Sequence, residues 1–231
     1  CYDANAGLMH DSLRAQGLLP LTEPYTNAGY VAVGGGGETT VPAVLAVQGP
    51  TAVVDWVIIE LRSASDASVV SASRCALLRR DGHVVEVDGT SPVSFSGSPE
   101  APYTVVVRHR NHLGVATATA VDLSVNPMVN LITGPTFGTG ATKNVGGQNV
   151  LWAGDTFMDG VLRYVGSAND RDPILLRVGG TTPNSSFSGY YPEDVNMDGR
   201  VRYVGAGNDR DPVLVNVGNL VPNSVRVEQL P

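Results

Sequence analysis

Acidic residues recur at fixed spacing in a segment that occurs twice near the C-terminal end of the chain. The copies read GDTFMDGVLRYVGSANDRDPILLRVGG (154–180) and EDVNMDGRVRYVGAGNDRDPVLVNVGN (193–219), and 16 of their 27 aligned positions are identical. Most of the identical positions hold acids, glycines, asparagine or proline rather than core residues. Carboxylates repeated at this spacing, with a glycine beside them, favour a site for a hard cation such as Ca²⁺, which takes oxygen ligands.

The second copy follows the EF-hand loop over its first eight positions, where oxygens stand at positions 1, 3, 5 and 7 and glycine at position 6. These positions are filled by Asp194, Asn196, Asp198, the backbone carbonyl of Arg200, and Gly199. The twelfth residue by count is Gly205, which has no side-chain oxygen. If RYVGAG (202–207) is treated as an insertion, Asn208 takes position 9 and Asp211 takes position 12. Pro212 follows and predicts a helix, whose positive dipole end also favours a carboxylate.

The first copy has the matching insertion, RYVGSA (163–168), and departs from the pattern at position 3. Its predicted ligands are Asp155, Asp159, the backbone carbonyl of Val161, Asn169 and Asp172. Phe157 stands where the second copy has Asn196, and a phenyl ring offers no oxygen. The sequence therefore predicts two unequal Ca²⁺ sites, of which the first is the weaker.

Each copy also carries a spare carboxylate directly after the asparagine. These residues, Asp170 and Asp209, either ligate in place of Asp172 and Asp211 or lie on the surface. A pair of Asx-rich turns without metal is the alternative interpretation of the whole repeat. Because extracellular calcium is millimolar and would saturate such sites, the repeats favour an exported protein.

The duplicated segment resembles the calcium repeats of dockerins, whose pattern is D-x-N-x-D-G-x-V-N-x-x-D followed by a short helix. The resemblance covers about a third of the chain and is more specific in the second copy. It implies a pair of loop–helix units over 151–220, each holding Ca²⁺ and packed against the other. The insertions would alter how the helices are presented, so the resemblance does not extend to dockerin-type partner binding.

The residues before the repeats favour β structure. Residues 1–29 are mixed, whereas 30–127 contain short apolar runs separated by turn signals. The predicted strands are 53–62, 73–80, 83–89, 102–110 and 114–125, with turns at Asp81-Gly82 and Asn111–Gly114. This spacing predicts a mainly β fold: an antiparallel, immunoglobulin-like β-sandwich followed by the calcium module. A loop-rich connector (128–150) and a tail with strand character (221–231) complete the organisation.

Composition narrows the class of protein. The net charge is −7 and no basic patch is present, so nucleic acid is not expected as a partner. No apolar run approaches the ~18 residues of a membrane span. The chain is 42% hydrophobic and 16% charged, which suits a folded extracellular protein. Two cysteines, Cys1 and Cys75, allow a single bridge or a buried thiol, and Cys1 could instead be the lipidated first residue of a bacterial lipoprotein.

The chain is also similar to the C-terminal region of large secreted surface proteins of Bacteroidota and related environmental bacteria. The segments that carry this resemblance are GLMHDSLRAQGLLPLTEPY (7–25), VDWVIIELR (54–62), ALLRRDGHVVEVDGTSP (76–92), YTVVVRHRNHLGV (103–115) and both NDRDP sequences. In that family a β domain precedes paired calcium repeats. The resemblance implies structural duty at the cell surface or outside the cell, without a defined reaction.

Catalytic arrangements find little support, so the chain is not expected to be an enzyme. His109 and His112 fit a polar turn better than a metal site. Asp55 and Glu60 are five apart in a strand, so they point to opposite faces and do not form a glycosidase pair. The glycine run that starts at Gly34 lacks the following Lys-Ser/Thr of a phosphate loop, and it predicts a flexible loop.

Two functions remain open. The first is an extracellular filament or adhesin subunit that self-associates into a homopolymer, with a terminal segment (1–33 or 224–231) completing a neighbour's sheet by strand addition. The second is a calcium-dependent module that binds a glycan or another surface protein. The candidate stacking residues for a glycan are Trp56, Trp152, Tyr190 and Tyr191, of which Trp56 fits a core position better.

Overall fold

The computed structural model describes residues 2–97, 102–125 and 127–231, and it is mainly β, with antiparallel sheets and few helices. The strands are β1 (Tyr2–Asp3), β2 (Leu8–Met9), β3 (Val53–Ser63), β4 (Val70–Arg79), β5 (Val84–Val85), β6 (Pro102–His109), β7 (His112–Ala116), β8 (Val121–Asp122), β9 (Lys143–Val145), β10 (Gln148–Val150), β11 (Val161–Arg163), β12 (Ser186–Ser188), β13 (Arg200–Arg202) and β14 (Val225–Val227). The helices are α1 (Ser12–Ala15), α2 (Pro42–Leu45), α3 (Arg171–Arg177) and α4 (Arg210–Val217), with a 3-10 turn at Leu123–Val125. None of the helices in these described ranges has the length and apolar character needed to cross a bilayer.

A six-stranded antiparallel sheet organises the first half of the chain. Its order is β5-β4-β3-β6-β7, and β8 pairs with the far end of β6. The central strand β3 is buried along nearly its whole length, because its run of valine and isoleucine residues packs on both faces of the sheet. The predicted hairpin turn at Asp81-Gly82 is confirmed, and Gly82 adopts a φ of +87° that favours glycine there.

The N-terminal segment covers one face of this sheet. Leu13 and Tyr25 are 1% exposed and pack in a core cluster with Trp56 and Leu77. The Tyr25 hydroxyl donates a hydrogen bond to the carbonyl of Trp56 at 2.7 Å, and the Trp56 indole donates to the carbonyl of Pro20 at 2.9 Å. This segment is therefore part of the same core as the central strand.

The opposite face carries a second core cluster, which contains Val57, Leu61 and Tyr103. It is covered by loop residues that include Phe95 and Leu123. Besides the large sheet, the described ranges contain four two-stranded sheets, so we observe one large sheet where the sequence predicts two facing ones.

One predicted strand is wrong in its extent. The sequence predicts a strand over 114–125 after a four-residue turn, but the turn is only two residues long, and β7 runs from His112 to Ala116. Regular pairing ends at Thr117. Its backbone N–H donates to the carbonyl of Val105, while its hydroxyl accepts the Val105 N–H at 3.1 Å. This side-chain bond replaces a rung of the ladder and ends regular pairing.

The two repeats share a third core cluster. Equivalent residues of the two copies meet there, with Leu162 and Ile174 from the first and Val201 and Val213 from the second, all 0% exposed. Leu113 of β7 enters the same cluster and ties the repeats to the large sheet. The helix predicted after each aspartate-rich loop is present, as α3 and α4.

A buried polar network fixes the contact between sheet and repeats. Asp55, fully buried in β3, accepts hydrogen bonds from Arg110 Nε at 3.1 Å and from the Tyr190 hydroxyl at 2.6 Å, and Arg110 Nη2 lies 3.0 Å from it in an ion pair. His109 Nε2 lies 3.1 Å from the same carboxylate. Burial alone would raise the pKa of Asp55, but the charge of Arg110 and the bond from His109 outweigh it and hold the pKa at about 2.

Replacing Asp55 by Ala should cost about 3–5 kcal/mol of unfolding free energy, because Arg110 would be left buried without its counter-charge. Urea unfolding near neutral pH measures the loss. In the wild type, the contribution of Asp55 is fully present above its unfolded pKa of about 4 and is lost as the pH falls through about 2. Asp66→Ala is the matched control, since Asp66 is exposed and its carboxylate accepts hydrogen bonds from Ser68. Equal effects of the two substitutions would contradict the assignment.

Candidate metal centre

The first aspartate of each repeat organises its loop as the EF-hand pattern predicts. Asp194 is buried, and its two carboxylate oxygens accept the backbone N–H groups of Asp198 at 3.1 Å and Gly199 at 2.8 Å. In the first copy, Asp155 accepts the N–H groups of Asp159 at 3.1 Å and Gly160 at 3.0 Å. The chain thus wraps around a carboxylate at the same point in both repeats.

The residue at position 3 distinguishes the two loops. Asn196 accepts the N–H of Asp198 at 2.8 Å with its side-chain oxygen and donates to the carbonyl of Gly207 at 2.7 Å. The phenyl side chain of Phe157 can make neither of these hydrogen bonds, and Phe157 is 47% exposed. The second loop is therefore held together across its width by an amide that the first lacks.

The aspartate at position 5 is more accessible than the buried aspartate at position 1. Asp198 accepts the N–H of Arg200 at 2.9 Å and pairs with the guanidinium of Arg202 at 2.6 Å. Asp159 pairs with Arg163 at 3.2 Å in the same way. A cation entering the loop would compete with these partly exposed arginines, which are free to swing away into solvent.

The predicted ligands at positions 9 and 12 bond to each other at the start of each helix. Asn208 donates to the carboxylate of Asp211 at 2.8 Å, and Asn169 donates to that of Asp172 at 2.7 Å. Both aspartate side chains are more than half exposed. Their side-chain hydrogen bonds go to neighbours in the same turn and not to the first half of the loop.

The spare carboxylates, in contrast, close the loops. Asp209 is 0% exposed and accepts the N–H groups of Asn196 at 3.1 Å and Arg202 at 2.8 Å. Asp170 is equally buried and accepts those of Thr156 at 2.9 Å and Arg163 at 2.7 Å. The alternative that these two residues lie on the surface is wrong. The signal in the sequence is that both copies have aspartate at this position. Asp172 and Asp211 share that signal, so it does not tell the closing carboxylates from their neighbours.

The electrostatics of the repeats are unfavourable without a cation. Burial raises the pKa of Asp209 to about 8 and that of Asp170 to about 7, with a further contribution from Asp194 or Asp155 beside them. Burial likewise raises the pKa of Asp155 and Asp194 to about 6. None of these four carboxylates forms an ion pair within the described part of the chain. Each loop thus holds two buried acids without an ion-pair partner, although the charge of Arg110 partly offsets the effect of burial on the pKa of Asp194.

Side chains alone do not bring three of these acids into close contact. Among the described residues, the one group of three His, Cys, Asp or Glu side chains with donor atoms all within 4.8 Å of one another is Glu23, Glu38 and Cys75. A cation in the repeats would draw its remaining oxygens from backbone carbonyls, such as those of Val161 and Arg200, and from water.

Other residues considered from the sequence are engaged in the core. His109 and His112 flank the two-residue polar turn between β6 and β7, and they are buried there, with ring nitrogens 2.9 Å apart. Of the candidate glycan-stacking residues, Trp56 is 0% exposed and Tyr190 bonds to Asp55. The remaining two rings, Trp152 and Tyr191, lie under the guanidinium groups of Arg226 and Arg177. Cys75 is a free, buried thiol, and the alternatives for Cys1 fall outside the described residues.

Comparison with protein-family models, with curated proteins and with solved structures finds no match to this chain.

In the presence of a chelator, the stability of the protein should decrease as the pH rises from about 5 to about 8. The folded chain holds protons on Asp209 and Asp170 at pH values where the unfolded chain, with aspartate pKa near 4, has released them. This contribution is fully present below about pH 4. Above that pH it falls by about 1.4 kcal/mol per pH unit for each extra proton that the folded chain holds. It is fully lost once the pH exceeds the folded pKa values. Chemical unfolding across this pH range measures the slope.

Asp209→Asn should flatten that slope, because the amide imitates the protonated acid, whereas Asp211→Asn, at an exposed position, should leave it unchanged. A metal-free protein whose stability is constant or increases over this range would contradict the proposed burial of uncompensated acids.

Proposed function

We propose that the chain is an exported structural protein whose C-terminal repeats each bind one Ca²⁺ ion and depend on it for rigidity. The observation that carries the proposal is the pair of buried, unpaired aspartates in each loop, Asp155 with Asp170 and Asp194 with Asp209. A divalent cation supplies the positive charge that each pair needs. The dockerin-like resemblance of the sequence is consistent with a module built in this way.

The ligand set follows from how each loop closes. In the second loop the buried carboxylate of Asp209 accepts the backbone N–H groups of Asn196, at position 3, and of Arg202, and the charges of Asp194 and Asp198 raise its pKa. We therefore favour Asp209 and Asp170 as the closing ligands. Asp211 and Asp172, at the exposed ends of the helices, are the alternative that the spacing alone predicts. Because a ligand must give up its proton to bind, calcium would displace the protons that the buried acids retain.

The position of the second loop explains why a bound ion would be structural. The carbonyl of Asp198 accepts a hydrogen bond from Gln16 at 2.7 Å, and Met197 packs in the core cluster of the N-terminal segment. The carbonyl of Asp194 accepts the side-chain amide of Asn111 at 2.8 Å, from the turn between β6 and β7. An ion that fixes this loop therefore fixes the junction of three distant parts of the chain.

Extracellular calcium suits such a role better than cytosolic calcium. At millimolar calcium, a site of ~10 μM affinity stabilises the fold by roughly 2.7 kcal/mol, whereas in the cytosol it would be nearly empty. We place the protein outside the cell or on a bacterial surface, as a filament or adhesin subunit that forms a homopolymer. A calcium-dependent module that binds a glycan or a surface protein is the second candidate. It is the less favoured one, because the candidate stacking rings are buried or already in contact with arginine or aspartate side chains.

The tail is the better candidate for strand exchange between subunits. Among the strands that the structure describes, β14 pairs only with β11, and its side chains Val225 and Val227 are about half exposed. Glu228 then bonds to Gly114 N–H at 2.6 Å and to Arg108 at 3.2 Å, contacts that a neighbour's tail could make equally well. The N-terminal segment is less suited to exchange, since it supplies buried core residues.

Exchanging the residues at position 3 should exchange the calcium affinities of the two loops. Phe157→Asn should tighten binding to the first loop and Asn196→Phe should weaken binding to the second, each by about tenfold, because one oxygen ligand is gained or lost. Isothermal titration with Ca²⁺ after chelator treatment resolves the two sites. Two equal sites in the wild type, or no response to either substitution, would contradict the assignment.

The closing ligand can be tested in the same titration. Asp209→Asn should abolish the tighter site while Asp211→Asn leaves it nearly intact. The opposite result would favour the spacing-based ligand set. Calcium binding that survives both substitutions would exclude both sets.

Assembly should depend on calcium and on the tail. Negative-stain electron microscopy of the full chain should show filaments that dissociate on chelation, and deletion of residues 221–231 should abolish them. Adding the free 221–231 peptide at excess should block assembly of the intact chain, since it would occupy the acceptor strand β11. A monodisperse monomer with and without calcium would exclude the filament and favour the binding module, which a glycan array then tests.

A further inference from the structure

A second group of potential metal ligands lies on the N-terminal face of the large sheet, apart from the repeats. It consists of Glu23, Glu38 and Cys75, one donor atom of each lying within 4.8 Å of the others. Glu23 is 1% exposed, Cys75 is 1% exposed and Glu38 is partly exposed. Three parts of the chain far apart in sequence are needed to bring them together.

The backbone explains the proximity of the two glutamates. Thr22 and Thr39 form an isolated antiparallel bridge, and the N–H of Glu23 donates to the carbonyl of Glu38 at 2.9 Å. Two like charges held opposite each other in this way are destabilising unless something compensates them. No ion pair to either carboxylate exists in the part of the chain that the structure describes, and Glu38 Oε2 is buried there without a hydrogen-bond partner.

The glycine run Gly34–Gly37, which ends directly before Glu38, covers the group. The N–H of Gly37 donates to Glu23 at 2.9 Å and that of Gly36 donates to Glu38 at 3.1 Å. Gly35 leaves no room for a side chain, because a Cβ there would collide with the carbonyl of Ser73 beside Cys75. The run therefore forms a tight cover over the three donors, with access from solvent along Glu38.

The third potential metal ligand is the thiol of Cys75. Cys75 Sγ lies 3.5 Å from Glu23 Oε2. Burial, and then the charges of Glu23 and Glu38, raise the pKa of this thiol, so the metal-free chain keeps its proton. Glu23 itself is an anion at neutral pH: burial would raise its pKa, but hydrogen bonds from Thr26, Gly37 and Tyr25 lower it. A divalent metal ion would displace the thiol proton to solvent, and its two positive charges would offset two of the three negative charges of the thiolate and the two carboxylates.

We propose that Glu23, Glu38 and Cys75 form a binding site for a thiophilic divalent cation of the zinc class, distinct from the calcium repeats. A thiolate combined with carboxylates suits Zn²⁺ and its cobalt substitute, whereas Ca²⁺ takes oxygen ligands only. Three protein ligands leave the fourth tetrahedral position to water. The bound ion would join the N-terminal segment to β4 and reinforce the cover of the core.

Cobalt is the probe, because only a thiolate ligand produces a cobalt charge-transfer band in the near ultraviolet. The full chain carries Cys1→Ser so that Cys75 is its single thiol, and excess Ca²⁺ keeps the repeats filled. We expect one equivalent of Co²⁺ to produce the band, and Zn²⁺ to abolish it by competition. Because the donors are buried, the titration is repeated on protein refolded in the presence of Co²⁺.

Two variants decide the ligand set. Cys75→Ser should remove the band, and Glu38→Gln should weaken Co²⁺ binding by about tenfold or more. Asp122→Asn, an exposed carboxylate on β8, is the control and should change neither. Circular dichroism checks folding, and if Cys75→Ser is unfolded the partly exposed Glu38→Gln decides alone. Absence of the band in folded wild-type protein, or a band of unchanged affinity in Glu38→Gln, would overturn the proposal.

Discussion

The charge on buried aspartates is the constraint on which the C-terminal half of the structure depends. Each repeat folds its backbone around two carboxylates, and the N–H groups that point at them define the loops. Hydrogen bonds stabilise those charges only in part, since burial still raises the pKa of Asp209 to about 8. The folded chain can therefore reduce the negative charge of the buried aspartates in two ways: the carboxylates retain their protons, or the loops bind a cation. Calcium would make the second way dominant at neutral pH.

A second buried charge links those loops to the rest of the molecule. Asp55 differs from the repeat aspartates because it has a full counter-charge, the guanidinium of Arg110, and its pKa is held at about 2. The same arginine donates to the carbonyl of Tyr191 at 2.5 Å, directly before the second loop. One ion pair thus aligns β3, the β6–β7 turn and the second repeat.

The sequence was informative where local pattern decides structure. The apolar, β-branched run of β3, the Asp81-Gly82 turn and the helix after each aspartate-rich loop all appear where their residues predict them. It was misleading where a long-range contact decides. The strand after β6 ends early because Thr117 bonds to Val105 through its side chain, and the histidines beside the β6–β7 turn are buried, with His109 on Asp55 and His112 bridged to Ala153. Neither contact has a signature in the local sequence.

The sequence by itself determined that two aspartate-rich loops exist, that they are equivalent, and that the first lacks an oxygen at position 3. Those properties reside in residue type and spacing. Only the tertiary structure decided which carboxylate closes each loop, because Asp209 and Asp211 look alike in sequence and differ only in burial. It also brought Glu23, Glu38 and Cys75 together, through a strand bridge and the packing of the N-terminal segment on β4. Proximity between distant residues is a property of the folded chain, since each such contact depends on where all the intervening elements pack.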